Sequence, residues 1–318
     1  MAFKKSISSA GMLALSAMQF APSVLADAQT CPNDSPLSCS SSSEKASCCF
    51  NNPGGALLLT QFWDYDPSTG PSDSWTLHGL WPDNCDGTYE ANCDDSREYS
   101  NITAIIEDSG SSELLADMNK YWKDYQGDDE SFWEHEWNKH GTCINTIEPD
   151  CYDDYSPQEE VVDYLQKAVD LFKKLDSYKA LSAAGITPSE SKTYTLDAIH
   201  EALGDIHDGY APYVSCDGDN LNELWYFYYV RGNLVTGSFE PAEKLTDSKC
   251  PKSGIKYVPK EGAKSTSTSS SSVTIPPTGS STGTPSGTPT GSPTGSPTGS
   301  PTGTPTGAPE DTMTIFAH

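Results

Sequence analysis

The chain has 318 residues, with 19 Lys and Arg against 45 Asp and Glu, so its formal net charge is −26. Its 16 Tyr, 7 Trp and 9 Phe can build a core, which excludes a uniformly disordered chain, and no apolar stretch approaches the ~20 residues that cross a bilayer. Phosphate binding draws on Lys and Arg, so a chain this acidic cannot hold a polyanion by bulk charge. Any chemistry on nucleic acids must therefore come from a small local site.

The N-terminal segment has the features of a secretory signal. Lys4 and Lys5 precede an apolar run over residues 11–20, and small residues around Ala26 offer a cleavage site for signal peptidase. A buried N-terminal helix is the alternative, but no helix start or amphipathic period accompanies the run. We therefore predict a signal peptide over residues 1–26 and a secreted, extracellular protein.

Ten cysteines follow the predicted cleavage point. An even number of cysteines in an exported chain indicates disulfides, here five, because the compartment is oxidising. Zinc is the competing use of cysteine, but Cys48 and Cys49 are adjacent and no Cys-x-x-Cys occurs, so we predict no metal site. Spacing alone leaves the pairing of the ten cysteines open.

The first predicted elements after these are two strands and a helix. Residues 55–63 have the apolar composition of a buried strand, and residues 75–78 alternate with period two. The alternation places His78 on the same face as Thr76, opposite the two apolar side chains. Further along the chain, helical spacing appears at Leu114, Met118, Trp122 and Tyr125.

The second half of the folded part combines a helix with more strands. Residues 156–159, Ser-Pro-Gln-Glu, form a capping box with proline at the first helical position, which predicts a helix from there onward. Residues 224–230 are rich in β-formers, and Gly232 with Asn233 predicts a turn into a second strand at residues 234–235. Strands and helices do not alternate regularly, so we predict an α+β fold, an antiparallel sheet packed with helices and cross-linked by disulfides.

The C-terminal segment differs in composition from the rest of the chain. Residues 265–309 contain no charged residue and consist largely of Ser, Thr, Pro and Gly. Such a segment has no apolar surface to offset the ordering entropy of its backbone. We therefore predict a disordered, O-glycosylated tail over residues 261–318, after a folded domain over residues 27–260. Two roles are compatible with this composition: a passive solubilising tail, or a spacer that retains the protein at the cell wall.

Two Asn-x-Ser/Thr triplets begin at Asn33 and Asn101. They are acceptors for N-glycosylation if the chain is exported.

The segment over residues 132–143 concentrates titratable side chains. It superficially resembles the zinc-protease helix His-Glu-x-x-His, but His135 and His140 are five residues apart, a rotation of about 140° that excludes this motif. Positions four apart stack instead, so His135 lies beside Lys139, and Glu136 beside His140. That arrangement suits proton transfer and stabilisation of an oxyanion on phosphorus. An amphipathic surface helix is the alternative, and the interleaved aromatic residues argue against it.

Two segments together resemble a known family. Residues 75–82, Trp-Thr-Leu-His-Gly-Leu-Trp-Pro, and residues 132–143, Phe-Trp-Glu-His-Glu-Trp-Asn-Lys-His-Gly-Thr-Cys, are similar to the two active-site segments of the ribonuclease T2 family of secreted acid ribonucleases. The resemblance covers roughly residues 30–255, and the ten-cysteine pattern is similar to that of fungal members. It implies an endoribonuclease that cleaves single-stranded RNA with little base specificity and without a cofactor.

The resemblance also implies a mechanism. A base removes the proton from a ribose 2′-hydroxyl, the 2′-oxygen attacks phosphorus, and an acid protonates the departing 5′-oxygen. A 2′,3′-cyclic phosphate forms, which water opens to a 3′-phosphate. By resemblance, His140 is the base, His78 is the acid and His135 holds the phosphate, while Glu136 and Lys139 steady the phosphorane. DNA lacks the attacking hydroxyl and should resist cleavage.

The family likeness further implies base-binding residues and disulfide partners. The first base would lie among Trp81, Asp83 and Tyr89, and the second would face Phe132 and Gln61. The implied bridges are Cys31–Cys49, Cys39–Cys85, Cys48–Cys151, Cys93–Cys143 and Cys216–Cys250.

The acidity of the chain bears on its working pH. Carboxylates titrate near pH ~4 and imidazoles near pH ~6.5, so acid weakens the field that opposes RNA while the histidines become charged. We expect a bell-shaped pH profile with an acidic optimum, and a monomer. A secreted binding protein that has lost catalysis is the alternative. It would show a replaced His78 or His140, and both histidines are present.

Overall fold

The computed structural model describes residues 28–40 and 44–260; the predicted signal peptide and C-terminal tail lie outside them. Seven strands of the described part form one sheet: β1 (Ala56–Phe62), β2 (Thr76–Asp83), β3 (Thr193–Thr195), β4 (Tyr213–Asp217), β5 (Asn220–Arg231), β6 (Ser238–Ala242) and β7 (Ser253–Lys256). The α-helices are α1 (Ile102–Asp108), α2 (Ser112–Tyr121), α3 (Asp129–Lys139), α4 (Glu159–Lys174), α5 (Ser177–Ala183) and α6 (Leu196–Gly204).

The sheet is organised around the long strand β5. Its strands run in the order β2-β1-β5-β7-β3, and β4 and β6 also pair with β5. Every pairing is antiparallel except the single contact between β5 and β7. The predicted α+β class with an antiparallel sheet is therefore confirmed. Strand β2, which carries His78, lies at one end of the strand order.

A β-bulge in β2 determines where His78 points. On β1, Thr60 lies opposite Gly79, but the next residue, Gln61, lies opposite Leu77. His78 therefore has no partner in the register and is the extra residue of the bulge. Bulges re-aim one side chain out of the regular alternation of a strand, and they often lie beside active sites.

The two faces of the sheet contribute to different hydrophobic clusters. The main cluster contains Leu57 and Leu59 of β1 together with buried residues of the helices. Leu58, between them, points to the other face. There it joins a smaller cluster with Ala56, Tyr213, Phe227 and Ala242, against which Trp81 and Trp225 pack.

Helix α4 begins later than the capping box predicts. Its first residue is Glu159, and the preceding Gln158 has φ of 71°, a left-handed conformation that cannot continue a helix from Pro157. Half of the capping box is nevertheless present, because the backbone N–H of Ser156 donates to Oε1 of Glu159 at 2.9 Å. The predicted apolar stripe of this helix is buried, at Val162, Leu165, Val169, Phe172 and Leu175.

The strand predicted at residues 234–235 is wrong. Gly232 does leave the strand, with φ of 91°, but Oδ1 of Asn233 accepts the backbone N–H of Thr236 at 2.7 Å and forms a local turn. The return strand β6 therefore begins only at Ser238.

Five disulfides cross-link the fold, and no cysteine of the described residues is free. They join the pairs that the family resemblance implies: Cys31–Cys49, Cys39–Cys85, Cys48–Cys151, Cys93–Cys143 and Cys216–Cys250. Among residues 28–40 and 44–260, no helix is long and apolar enough to cross a membrane.

Candidate active site

Helix α3 carries most of the predicted site, and two buried tryptophans fix it to the core. The helix begins after Asp128, whose side chain accepts the backbone N–H of Ser131 at 3.2 Å. Trp133 and Trp137, one turn apart, are buried and donate their indole N–H groups to backbone carbonyls at 2.9 and 2.7 Å. The opposite side of α3 is left to display polar residues.

The end of α3 is held as firmly as its middle. Oγ1 of Thr142 donates to the carbonyl of Asn138 at 2.7 Å and accepts the backbone N–H of Cys93 at 3.1 Å. The Cys93–Cys143 disulfide closes the same region. His140, the residue that ends the helix, therefore has a fixed backbone.

Glu136 is the centre of the site. It is fully buried, and its Oε1 lies 3.4 Å from Nε2 of His78, while its Oε2 accepts the indole N–H of Trp81 at 2.8 Å. The ring of Trp81 stacks on that of His140 with centroids 5.0 Å apart. Two histidines from a bulged strand and a helix end thus converge on one buried carboxylate.

Gly79 makes this close approach possible. A Cβ atom at position 79 would collide with Oε2 of Glu136 and would come within 2.7 Å of the indole nitrogen of Trp81. The glycine therefore leaves room for the carboxylate against the backbone of β2.

The environment of the site lowers the pKa values of both Glu136 and His140. Burial by itself raises the pKa of Glu136, but the charge and hydrogen bonding of His78 and the charge of His140 outweigh it and hold the pKa below its usual range. Burial lowers the pKa of His140 well below its ordinary value, although Glu136 opposes the shift. The cluster therefore contains an ionised carboxylate and a neutral His140, with the side chain of His78 retaining 17% exposure.

The other two predicted catalytic residues of α3, His135 and Lys139, are less buried than Glu136. His135 is exposed, and its ring centroid is 6.4 Å from that of His140. Lys139 follows His135 by four residues and is partly exposed. The predicted stripes of α3 are therefore present, with Glu136 on the buried side and His135 on the open side.

Three of these groups could also hold a metal ion. His135, Glu136 and His140 each offer one ligand atom, and the three atoms lie within 4.8 Å of one another. The set coincides with the residues assigned to catalysis by resemblance, so any test of the mechanism needs a chelator.

Two of the predicted base-binding residues, Trp81 and Phe132, lie beside this cluster. The rings of Trp81 and Phe132 are 4.7 and 5.3 Å from that of His78. Asp83 is partly buried, and burial raises the pKa of its carboxyl to about 7. Asp83 also pairs through its backbone with Tyr89, whose side chain is 60% exposed.

Gln61 requires a correction, because the structure does not bring its side chain to the histidines. It is fully buried, its amide nitrogen donates to the carbonyl of Leu175 at 3.1 Å, and its amide oxygen accepts from Oγ of Ser177 at 2.7 Å. Both ends of the amide bond to groups in the protein interior, on the face of β1 opposite the one that meets His78. Phe62, the next residue, points the other way and packs on His78, with the ring centroids 4.0 Å apart.

Sequence reasoning missed Glu223 on β5. It is buried, it lies opposite Phe62 in the register, and its Oε1 is 3.8 Å from Nδ1 of His78. One signal in the sequence pointed to it. Glu223 directly precedes the β-rich run over residues 224–230, and a carboxylate at that position of a buried strand is costly unless it has a partner.

Comparison with known proteins identifies the class of this molecule. A model described as the ribonuclease T2 family matches residues 54–249. "Ribonuclease T2" of Aspergillus oryzae is 63% identical over 259 residues, which are 81% of this chain and 94% of that protein. "Ribonuclease M" of Aspergillus phoenicis is 64% identical over 236 residues, which are 74% of this chain and 99% of that protein.

A solved structure agrees with these relatives. The crystal structure of Actibind, described as a T2 ribonuclease, is 64% identical and superposes with a TM-score of 0.72, covering 74% of this chain and 100% of that one. The class is therefore that of the ribonucleases. This chain belongs to the ribonuclease T2 family, as the two active-site segments predicted.

Proposed function

We propose that this T2-family endoribonuclease cleaves single-stranded RNA with little base specificity, by metal-free transphosphorylation through a 2′,3′-cyclic phosphate to 3′-phosphate products. The observation that carries the proposal is the pairing of a buried, neutral His140 with a more exposed His78 across the ionised Glu136. General acid–base catalysis needs one imidazole that begins without a proton and one that begins with it.

His140 is the proposed base. Because burial lowers its pKa, the ring stays unprotonated in mildly acidic solution and accepts the proton of the ribose 2′-hydroxyl. The 2′-oxygen then forms its bond to phosphorus. The stacked indole of Trp81 holds the ring of His140 in place during this transfer.

His78 is the proposed acid. Its Nε2 lies 3.4 Å from the buried carboxylate of Glu136, and its side chain is more exposed than that of His140, which leaves the ring accessible to the leaving oxygen. The proton passes from His78 to the 5′-oxygen as the bond between that oxygen and phosphorus breaks. His78 and His140 exchange roles when water opens the cyclic phosphate.

His135, Lys139 and Glu136 are proposed to stabilise the crowded phosphorus. His135 and Lys139 lie one helical turn apart on the exposed side of α3, where two donors can meet the phosphate oxygens. Such local donors supply the positive charge that the acidic chain lacks as a whole. DNA, which has no 2′-hydroxyl, is not cleaved.

Base binding is proposed to use the aromatic rim of the site. The first base stacks on Trp81 and Tyr89 beside Asp83, and the second faces Phe132, which lies beside His78. Stacking is tolerant of base identity because every base has a π-face, and this supports low specificity.

The chain is further proposed to work outside the cell, as a monomer, with residues 1–26 as a signal peptide, residues 27–260 as the catalytic domain and residues 261–318 as a low-complexity tail. Five disulfides support export to an oxidising compartment. Asn33 and Asn101 are exposed, and the side chain of Asn101 makes no capping hydrogen bond to α1, so both amides are accessible to a glycan.

The test uses homopolymeric RNA in the presence of a chelator. Wild type, His78→Ala, His140→Ala and the control His200→Ala are compared, since His200 lies on α6 and bonds only Ser248 among the described residues. We expect the two active-site variants to lose about 10²- to 10⁴-fold in rate and the control to match wild type, with no cleavage of DNA. Cleavage abolished by the chelator, or retained by both active-site variants, defeats the proposal.

A further inference from the structure

A second buried carboxylate lies behind His78, on the side away from Glu136. Glu223 is 7% exposed, and its Oε1 is 3.8 Å from Nδ1 of His78, an ion-pair distance rather than a hydrogen bond. Nδ1 of His78 is itself buried and has no hydrogen-bond partner within the described residues. Each nitrogen of the ring therefore faces a carboxylate, Nε2 facing Glu136 and Nδ1 facing Glu223.

The sheet fixes the position of Glu223. It lies on β5 opposite Phe62 of β1, and the ring of Phe62 packs on His78. Trp225, two residues along, shares its face of the strand and packs against Trp81 with centroids 5.7 Å apart. Glu223 thus projects from a strand inside the sheet, which positions a side chain more rigidly than a loop.

The charged neighbours of this pair are few. Burial raises the pKa of Glu223, the charges of His78 and Lys249 and the nearby indole N–H of Trp225 lower it, and the charge of Asp64 raises it further. Around His78 itself lie His135, Glu136 and His140 of the α3 region. Of these groups, only His78 is within ion-pair distance of Glu223 in the described structure.

Glu136 cannot by itself make the two histidines different, because its charge acts on both His78 and His140. Glu223 faces one of them alone. A carboxylate behind an imidazole fixes its tautomer and orientation and stabilises its protonated form, as in the histidines of catalytic triads and metal sites.

We propose that Glu223 is a positioning residue that holds the Nδ1–H of His78, so that Nε2 carries the transferable proton toward the 5′-oxygen of the substrate. This inference rests on the proposed acid role of His78. After Nε2 gives up its proton, Nδ1 keeps its own, and the neutral ring remains oriented for the reverse transfer when water opens the cyclic phosphate.

The kinetic test compares Glu223→Gln and Glu223→Asp with the control Glu160→Gln. Glu160 is also buried, but its carboxylate accepts from the hydroxyls of Tyr99 and Tyr155. We expect Glu223→Gln to lower kcat by roughly 10- to 100-fold with little change in KM, and to move the alkaline limb of the pH profile toward acid. Glu223→Asp should recover part of the rate, and the control should keep the wild-type profile.

Three outcomes overturn the inference: an unmoved alkaline limb in Glu223→Gln, a change in KM alone, or the same shift in Glu160→Gln. If His78→Ala is inactive while Glu223→Gln behaves as wild type, only this inference fails. If His78→Ala retains activity, the proposed function fails with it.

A measurement of the wild-type protein tests the tautomer of His78 without any change at Glu223. Nitrogen-15 NMR of the histidine rings, with the signal of His78 assigned by its loss in His78→Ala, reports which ring nitrogen carries the proton. We expect neutral His78 to be the Nδ1–H tautomer. The Nε2–H tautomer overturns the inference.

Discussion

The indole N–H of Trp81 donates a 2.8 Å hydrogen bond to Oε2 of Glu136, while the same ring stacks on His140. One side chain therefore joins the proposed base pocket to the proposed catalytic carboxylate. Its two contacts belong to different atoms, so the hydrogen bond and the stacking can be removed separately.

The substitution Trp81→Phe should remove the hydrogen bond to Glu136 and keep the stacking on His140. Phenylalanine keeps an aromatic face for stacking but leaves Oε2 of the buried Glu136 without its donor, and a hydrogen bond to a charged group contributes about 1.5–3 kcal/mol. We expect kcat to fall about 10- to 100-fold with KM nearly unchanged, measured on a dinucleotide substrate. Trp122→Phe is the matched control, since its buried indole nitrogen has no hydrogen-bond partner in the described structure. A rise in KM alone would restrict Trp81 to base stacking.

Gly79→Ala should disable the site through Glu136. The added Cβ would occupy the position of Oε2 and displace the carboxylate from both Trp81 and His78. We expect a loss of at least about 10-fold in kcat with the fold retained by circular dichroism. Gly204→Ala is the control, because its new Cβ would make only an ordinary 3.4 Å contact. Full activity in Gly79→Ala would show that Glu136 need not lie against β2.

Gln61→Leu tests whether this residue contributes to stability or to base recognition. Leucine removes the two hydrogen bonds that the amide makes inside the core, one to the carbonyl of Leu175 and one from the hydroxyl of Ser177. We expect the free energy of unfolding to fall by about 1–3 kcal/mol, measured by urea denaturation. The relative rates on the four homopolymers should stay as in wild type. Altered base preference at unchanged stability would restore Gln61 to the base pocket.

Asp163→Asn should change how stability depends on pH. Burial raises the folded pKa of Asp163 to about 6, above the value near ~3.9 of an unfolded chain. The folded state therefore binds the extra proton between these values, and stability is lost as pH rises through about 6. Asparagine keeps an acceptor for the hydroxyl of Tyr152 and removes the titration.

We expect Asp163→Asn to flatten the fall in stability between pH 4 and 7 by on the order of 1–2 kcal/mol, since partial exposure reduces the full effect. Urea denaturation at several pH values measures it. The exposed Asp153→Asn should leave the pH dependence as in wild type. A parallel curve for Asp163→Asn and wild type would mean that Asp163 titrates normally.

The arrangement on α3 followed from sequence because helical geometry is local. Glu136 lies beside His140 and His135 beside Lys139 simply because they are four residues apart. Strand β1 could also be predicted from the sequence, because a short apolar run such as Ala56–Phe62, bounded by turn residues, is typical of a buried strand.

Other features depend on contacts between distant segments and could not be read from local patterns. The bulge that aims His78 appears only when β2 is aligned with β1, and Glu223 meets His78 across 145 positions of chain through that same sheet. Gln61 was misassigned for a related reason. Period two shows that Gln61 and Phe62 face opposite sides of β1, but not which side carries the histidines.

The most direct measurement of the two histidine roles uses an RNA dinucleotide whose 5′-bridging oxygen is replaced by sulfur. A thiolate leaves without protonation, so this substrate needs the base but no acid. We predict that the substitution restores most of the rate lost in His78→Ala and little of that lost in His140→Ala. Rescue of His140→Ala instead, or equal rescue of both variants, would contradict the assignment of acid and base.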